Sequence, residues 1–306
     1  MNAPIIREVP VCDRDSGPYA ITVGPDGALW FTLVHAGRVG RLTVGGTASE
    51  AEVTTFDLGD PGCGPTVLAG GPDGAMWFSE YRAHRVGRVT ATGEVTHMDL
   101  PTPNAGPFGI AAGPDGAMWF TQTTANSIGR ITPDGHVTEY ALPIADAFPS
   151  AITRGPDDAM WFTMNAADAI GRITTPTRGA PAGVITVHPL PTPGAAPVGI
   201  TSGPDGAVWF TEIGAGAIGR VSMTGQVTEL PLPDRDSMPH AIAFDTRGNR
   251  WITEWAANRV TRSSPDGTFT AHPLPTPNAE PHGLVRGPDD AIWAALEIGA
   301  LARIGR

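Results

Sequence analysis

Lysine is absent from the 306 residues; all twenty cations are arginine, set against 31 acids for a formal net charge of −11. A surface so acidic excludes nucleic acid and anionic lipid as partners, because both need a basic footprint. Cysteine is nearly absent too. Cys12 and Cys63 are the whole supply, too few for a disulfide framework or a Cys-rich zinc site. No run approaches the ~20 apolar residues that cross a bilayer, so a membrane span is not expected. The opening residues Met1-Asn2-Ala3-Pro4-Ile5-Ile6-Arg7-Glu8 lack a basic region followed by an apolar stretch, and a cytoplasmic protein without a secretory signal is expected. A Gly-x-Ser-x-Gly elbow and a Cys/His pairing are missing as well, which argues against a covalent nucleophile.

What the chain has in plenty is turn formers and tryptophan: 39 Gly, 31 Pro and eight Trp. Seven of the eight Trp are periodic: Trp30, Trp77, Trp119, Trp161, Trp209, Trp251 and Trp293, at intervals of 47, 42, 42, 48, 42 and 42. A fixed period of this size marks an array of similar units. The two long intervals place insertions around residues 45–52 and 175–183. Seven units of 42 nearly exhaust the chain, so residues 1–306 are expected to form one domain.

One unit gives the plan of all. Phe108–Ala112 is a short apolar strand ended by Gly113-Pro114-Asp115-Gly116, where Pro presets φ for a tight turn and Asp and Gly suit the next positions. Ala117–Thr121 and Ser127–Thr132 are the second and third strands, and Val137–Leu142 alternates as a half-exposed fourth. Four short strands per unit, with turns too frequent for helices, predict an all-β, seven-bladed β-propeller. The last unit stops at its third strand. The segment Ile5–Val11 has the pattern of a fourth, and is expected to pair onto the last blade and close the ring.

The array supplies its own control. Residues that recur in every unit serve the blade; residues that break the pattern need another reason. Eleven positions before each Trp, at the head of the innermost strand, stand Tyr19, Thr66, Phe108, Ser150, Val198, His240 and His282. Two positions earlier the series is Gly17, Gly64, Gly106, Phe148, Ala196, Met238 and Glu280; four after each Trp it is Val34, Tyr81, Thr123, Asn165, Ile213, Trp255 and Glu297. His240, Trp255, Glu280, His282 and Glu297 therefore fall on blades six and seven, with Tyr19 across the closure on blade one. Taken singly each has a plain reading: a polar lining His, a surface Glu280, a Glu297 paired with Arg303. Their coincidence on neighbouring blades selects them as the candidate site. The other histidines (His35, His84, His97, His136, His188 and His272) are expected to be solvated and silent. Gly305-Arg306 lies twelve residues past Trp293, against ten for the Gly-Arg pairs of the other units, which suggests two extra residues beside Glu297.

Two neighbouring carboxylates repel, and a hard divalent cation such as Mg²⁺ relieves that repulsion. Such an ion acts as a Lewis acid on a carbonyl oxygen, and imidazole is the usual general base near neutral pH. Together they suit removal of a C–H proton beside a carbonyl, the first half of an elimination.

The repeat Gly-Pro-Asp-Gly-Ala-x-Trp-Phe-Thr, the Ile-Gly-Arg-Ile-Thr strands and the Pro-Leu-Pro-Thr-Pro links resemble the virginiamycin B lyase (streptogramin B lyase) family over essentially the whole chain. The specific matches are Gly17-Pro18-Tyr19, Pro239-His240-Ala241-Ile242, Ala279-Glu280-Pro281-His282-Gly283 and Ala295-Leu296-Glu297. The resemblance implies a monomeric seven-bladed propeller that opens type B streptogramins, cyclic depsipeptides closed by a threonyl ester, through β-elimination and so inactivates the antibiotic. By that match Glu280 and Glu297 would hold Mg²⁺, and His282 would be the general base. His240 and Tyr19 would position substrate or metal-bound groups, and Trp255 would stack on the ligand. The rival readings are a hydrolase of the same architecture, such as a lactonase, and a propeller that binds a ligand without catalysis.

Overall fold

The computed structural model describes residues 4–45, 52–176 and 181–305, so 46–51 and 177–180 of the two expected insertions lie outside the described residues. It is a ring of seven four-stranded antiparallel sheets. In the third blade the strands are Pro107–Ala112, Met118–Gln122, Ser127–Ile131 and Val137–Ala141, within about a residue of the expected bounds. No helix among the described residues is long and apolar enough to cross a membrane.

The recurring motifs are a single hydrogen-bonded unit. The Asp115 carboxylate accepts from the Trp119 indole N–H at 3.0 Å on one oxygen and from Arg130 Nε at 2.7 Å on the other. Asp26, Asp73, Asp157, Asp205 and Asp289 do the same for their own Trp and Arg. The Asp thereby satisfies the one polar atom of a buried indole, which would otherwise be costly to bury. In the Gly-Arg pair the glycine is required by packing. A Cβ on Gly129 would overlap the Phe120 ring, and Gly40, Gly87, Gly171 and Gly219 face their own Phe in the same way. Where the Phe is gone the glycine is gone: Ile252 pairs with Thr261, and Ala294 with Ala302.

That register corrects the expectation for the last unit. Arg303, not Arg306, is the counterpart of Arg130, since it pairs with Trp293 and bonds Asp289. The seventh blade is shorter, not longer. Leu296 pairs with Ala300 across three residues, where Gln122 pairs with Ser127 across four. Gly299, with φ of +81°, makes the tight turn possible.

Two further contacts join blade to blade. The Thr two residues past the Trp donates to the carbonyl of the axial residue of the next blade: Thr121 to Ser150, Thr211 to His240 and Thr253 to His282, at 2.6, 2.9 and 2.7 Å. On the outer side a glutamate of the fourth strand takes the Thr of the preceding Pro-Thr-Pro link, as Glu139 takes Thr102 and Glu229 takes Thr192. The expected closure is present. Ile5–Pro10 pairs antiparallel with Ala300–Gly305, from Ile5 opposite Gly305 to Pro10 opposite Ala300. Glu8 then grips Thr276 as Glu139 grips Thr102, so the N-terminal segment is a full fourth strand of the last blade.

One buried acid stands outside these patterns. Three residues past the Trp the side chain is always buried, and Glu80 and Glu254 there meet Arg85 and Arg259. In the fifth blade the arginine position is Ala217, and both Glu212 carboxyl oxygens are buried without a hydrogen bond. Burial, followed by the charge of Glu229, pushes the Glu212 carboxyl up to about 8.

Two outcomes are expected. Gly129→Ala destabilises by about 2 kcal/mol through overpacking, but adds almost nothing in a Phe120→Ala background; additive losses in denaturant unfolding would contradict the ring–glycine contact. Glu212 holds its proton more tightly folded than unfolded, so its contribution falls as pH rises from about 4.5 through about 8. Glu212→Gln therefore raises stability by about 2 kcal/mol at pH 8 and by far less at pH 5; equal effects at both pH values would refute a proton on that carboxyl.

Candidate active site

Every innermost strand begins at a proline and carries a register shift within its first residues, as between Pro239 and Ile242 or Pro281 and Leu284. An irregularity of this kind re-aims the side chains beside it. Here it turns the residue after each proline to the axis. Tyr19, His240 and His282 meet there as expected. Ring centroids lie 4.6 Å apart for Tyr19–His282, 4.7 Å for His240–His282 and 5.7 Å for Tyr19–His240, and the Tyr19 hydroxyl is 3.4 Å from His240 Nε2. The hydroxyls of Thr211 and Thr253 fix the backbones of both histidines from the preceding blades. Tyr19 and His240 line an axial cavity of about 310 Å³ with Phe108, Phe148, Ser150 and Val198.

Above this layer lies a rim. The residue before each head proline is left-handed in all seven blades, from Gly17 at +65° to Glu280 at +50°. Its carbonyl accepts from the N–H of the residue that follows the second strand: Trp255 to Met238 at 3.0 Å, Glu297 to Glu280 at 3.4 Å. This pairing sets Glu280 and Glu297 side by side. With His282 they bring three potential ligand atoms within 4.8 Å of one another. The shortened turn Glu297-Ile298-Gly299 is also tied to the closure, because the Gly299 carbonyl accepts from Val11 and Cys12 N–H. Arg303 is engaged by Asp289 and is not a partner of Glu297.

The electrostatics are those of a crowded acid pair. A hydrogen bond shared with Glu297, then burial, raises the proton affinity of Glu280; the His282 charge and the Trp255 indole pull it partly back. The His282 imidazole beside Glu297 holds that carboxyl well below its usual range, to about 2, so Glu297 is the ionised member. Burial, and secondarily the His282 charge, pushes His240 down to about 3 and keeps it a neutral imidazole. Burial, with the Glu297 charge, pushes the Tyr19 hydroxyl upward.

The two carboxylates suit a hard divalent ion. Glu280 and Glu297 need a common counter-charge, and His282 Nε2 lies 3.5 Å from Glu297 Oε1 while neither ring nitrogen makes a hydrogen bond. Two carboxylate oxygens, with water completing the shell, match Mg²⁺ or Mn²⁺ better than a thiophilic metal and leave the imidazole beside them free.

His35 overturns an expectation. It is not a silent turn residue: its Nε2 lies 3.5 Å from the same Glu297 Oε1. It stands five past Trp30, where no other unit has a histidine, on the blade that meets the seventh at closure. Gly17 gives it room, since a Cβ there would overlap the His35 ring. His97 is likewise engaged, by Glu80, and His84 accepts from Gly106 N–H. His188 and His272 stack on Trp161 and Trp251. Those four support the blades.

The comparisons with known proteins agree with this architecture. A streptogramin B lyase structure superposes with a TM-score of 0.91 at 39% identity, covering 99% of this chain and 97% of that one. A catalytically inactive virginiamycin B lyase from Staphylococcus aureus, solved with quinupristin, superposes at 0.92 and 37% identity over 99% of both chains. A virginiamycin B lyase of Saccharopolyspora erythraea is 64% identical over 44 residues, a stretch that spans 14% of this chain and 15% of that protein. The sequence profile of the virginiamycin B lyase family matches residues 4–304, and the chain belongs to that family.

Proposed function

We propose that the protein linearises type B streptogramins by β-elimination at the threonyl ester, with Mg²⁺ bound by Glu280 and Glu297 and with His282 as the general base. The observation that carries this reading is the convergence of Glu280 and Glu297 on His282, which itself packs against Tyr19 and His240. A bound divalent ion would polarise a carbonyl of the substrate and make the adjacent C–H more acidic.

The protein's own groups supply the rest. His282, with unsatisfied ring nitrogens, accepts the threonyl α-proton; the charge it gains lies 3.5 Å from the Glu297 carboxylate, which stabilises it. The electron pair of the broken Cα–H bond becomes the Cα=Cβ bond, the Cβ–O bond breaks, and the carboxylate of the former ester leaves. No water is consumed, so the linear product is isomeric with the substrate. His240 stays neutral and, braced by the Tyr19 hydroxyl, orients the substrate rather than competing for the proton. Trp255 offers an indole face to the ligand beside Glu280. The same proposal takes the enzyme to be a monomer that acts in the cytoplasm.

Mass spectrometry of a streptogramin B digest with Mg²⁺ decides the reaction class. The expected product has the mass of the antibiotic and a new double bond. A product one water heavier would identify a hydrolase, and recovered antibiotic a binding protein. His282→Ala should cut kcat by about 10²–10⁴ with the fold intact; a variant within a few-fold of the parent would remove His282 from the role of base.

A further inference from the structure

Two large apolar side chains stand in solvent at the rim: Phe148 at 47% exposure and Met238 at 40%. Both occupy the left-handed position, at φ of 52° and 53°. An L-residue there is strained by about 1 kcal/mol relative to glycine, and blades one to three use Gly17, Gly64 and Gly106 at the same place. Neither side chain is buried, so neither offsets its strain by packing. Strain without a return in the free protein points to a return on binding.

The register says where these side chains face. Glu280 occupies the same rim position and meets Glu297 and His282 over the axis. Met238 precedes His240 by two residues, and its carbonyl takes the backbone N–H of Trp255, so the two residues are adjacent at the rim of the sixth blade. Phe148 contributes to the axial cavity together with Tyr19, Phe108 and His240. In a ring of seven the fourth blade lies opposite the junction of the seventh and first. A molecule whose reacting bond sits at His282 must therefore extend over Phe148 to cross the mouth.

We infer that Phe148 and Met238 are substrate-seating residues: they hold apolar substituents of the cyclic depsipeptide, remote from its ester, and so determine which macrocycles present a threonyl Cα–H to His282. The inference rests on the lyase reading above. Phe148 supplies a rigid face across the cavity, and the Met238 thioether adapts to the substituent nearer the reacting bond.

Phe148→Gly and Met238→Gly test it, because glycine removes the side chain and relieves the backbone at once. The expected result for each is a melting temperature equal to or above the parent, kcat within about two-fold, and KM for a type B streptogramin raised about ten-fold. In a His282→Ala background, where turnover does not intervene, the antibiotic's Kd should rise by the same factor. A short acyclic threonyl ester without apolar substituents should show the same kcat/KM with parent and variants. Unchanged KM and Kd in a parent that opens the antibiotic would overturn the seat and leave the lyase reading standing. Equal loss of kcat for both substrates together with a lowered melting temperature would assign the residues to the fold instead. A parent that leaves the antibiotic intact would overturn the lyase reading, and the seat with it.

Discussion

A ring of blades has to meet itself, and the way this one does so determines the site. In five of the blades a threonine hydroxyl fixes the carbonyl of the next axial residue, which is how Thr211 and Thr253 set His240 and His282. At the seventh blade that threonine is Ala295. The junction to the first blade is instead an apolar cluster of Val11, Ile21, Phe31, Trp293, Ala295 and Leu301. The N-terminal strand completes it and bonds to the Gly299 carbonyl in the turn that carries Glu297. Closing the ring and placing the second carboxylate are thus one structural event.

The rim shows how such an array separates stability from function. The Trp–Asp–Arg unit, the glycine under its phenylalanine and the threonine bond lie within and between the blades, and they recur. The left-handed residue and its hydrogen-bonded partner after the second strand lie at the mouth, where their side chains bear little of the packing. Those two series are where Phe148, Met238, Glu280, Trp255 and Glu297 occur, so chemistry varies there at small cost to the fold. Glu280 combines a left-handed backbone with the repulsion of Glu297 in one place.

Much of this was legible in the sequence. The Trp period gave the blades, and the unpaired third strand at Gly305 gave the closure, because both follow from local pattern. The departures Tyr19, His240, Trp255, Glu280, His282 and Glu297 stand out against the repeat, since an array supplies its own reference. His35 escaped because it lies in a turn of the first blade and acquires its partner only through closure, 262 residues away in the chain. The seventh-blade turn departs from the pattern for a different reason: the glycine of the Gly-Arg pair serves a phenylalanine ring that this blade lacks, and Ala302-Arg303 takes its place. Pairwise compensation of that kind appears only when the two strands are laid together.

The account's central claim is that Glu280 and Glu297 form one ion site at the mouth, beside the general base His282. Titration of the protein with Mn²⁺, followed by electron paramagnetic resonance, tests it most directly. One site per chain is predicted, displaced by Mg²⁺ and weakened at least ten-fold by Glu280→Gln and by Glu297→Gln alike; undiminished binding in either variant, or no binding to the parent, would contradict it.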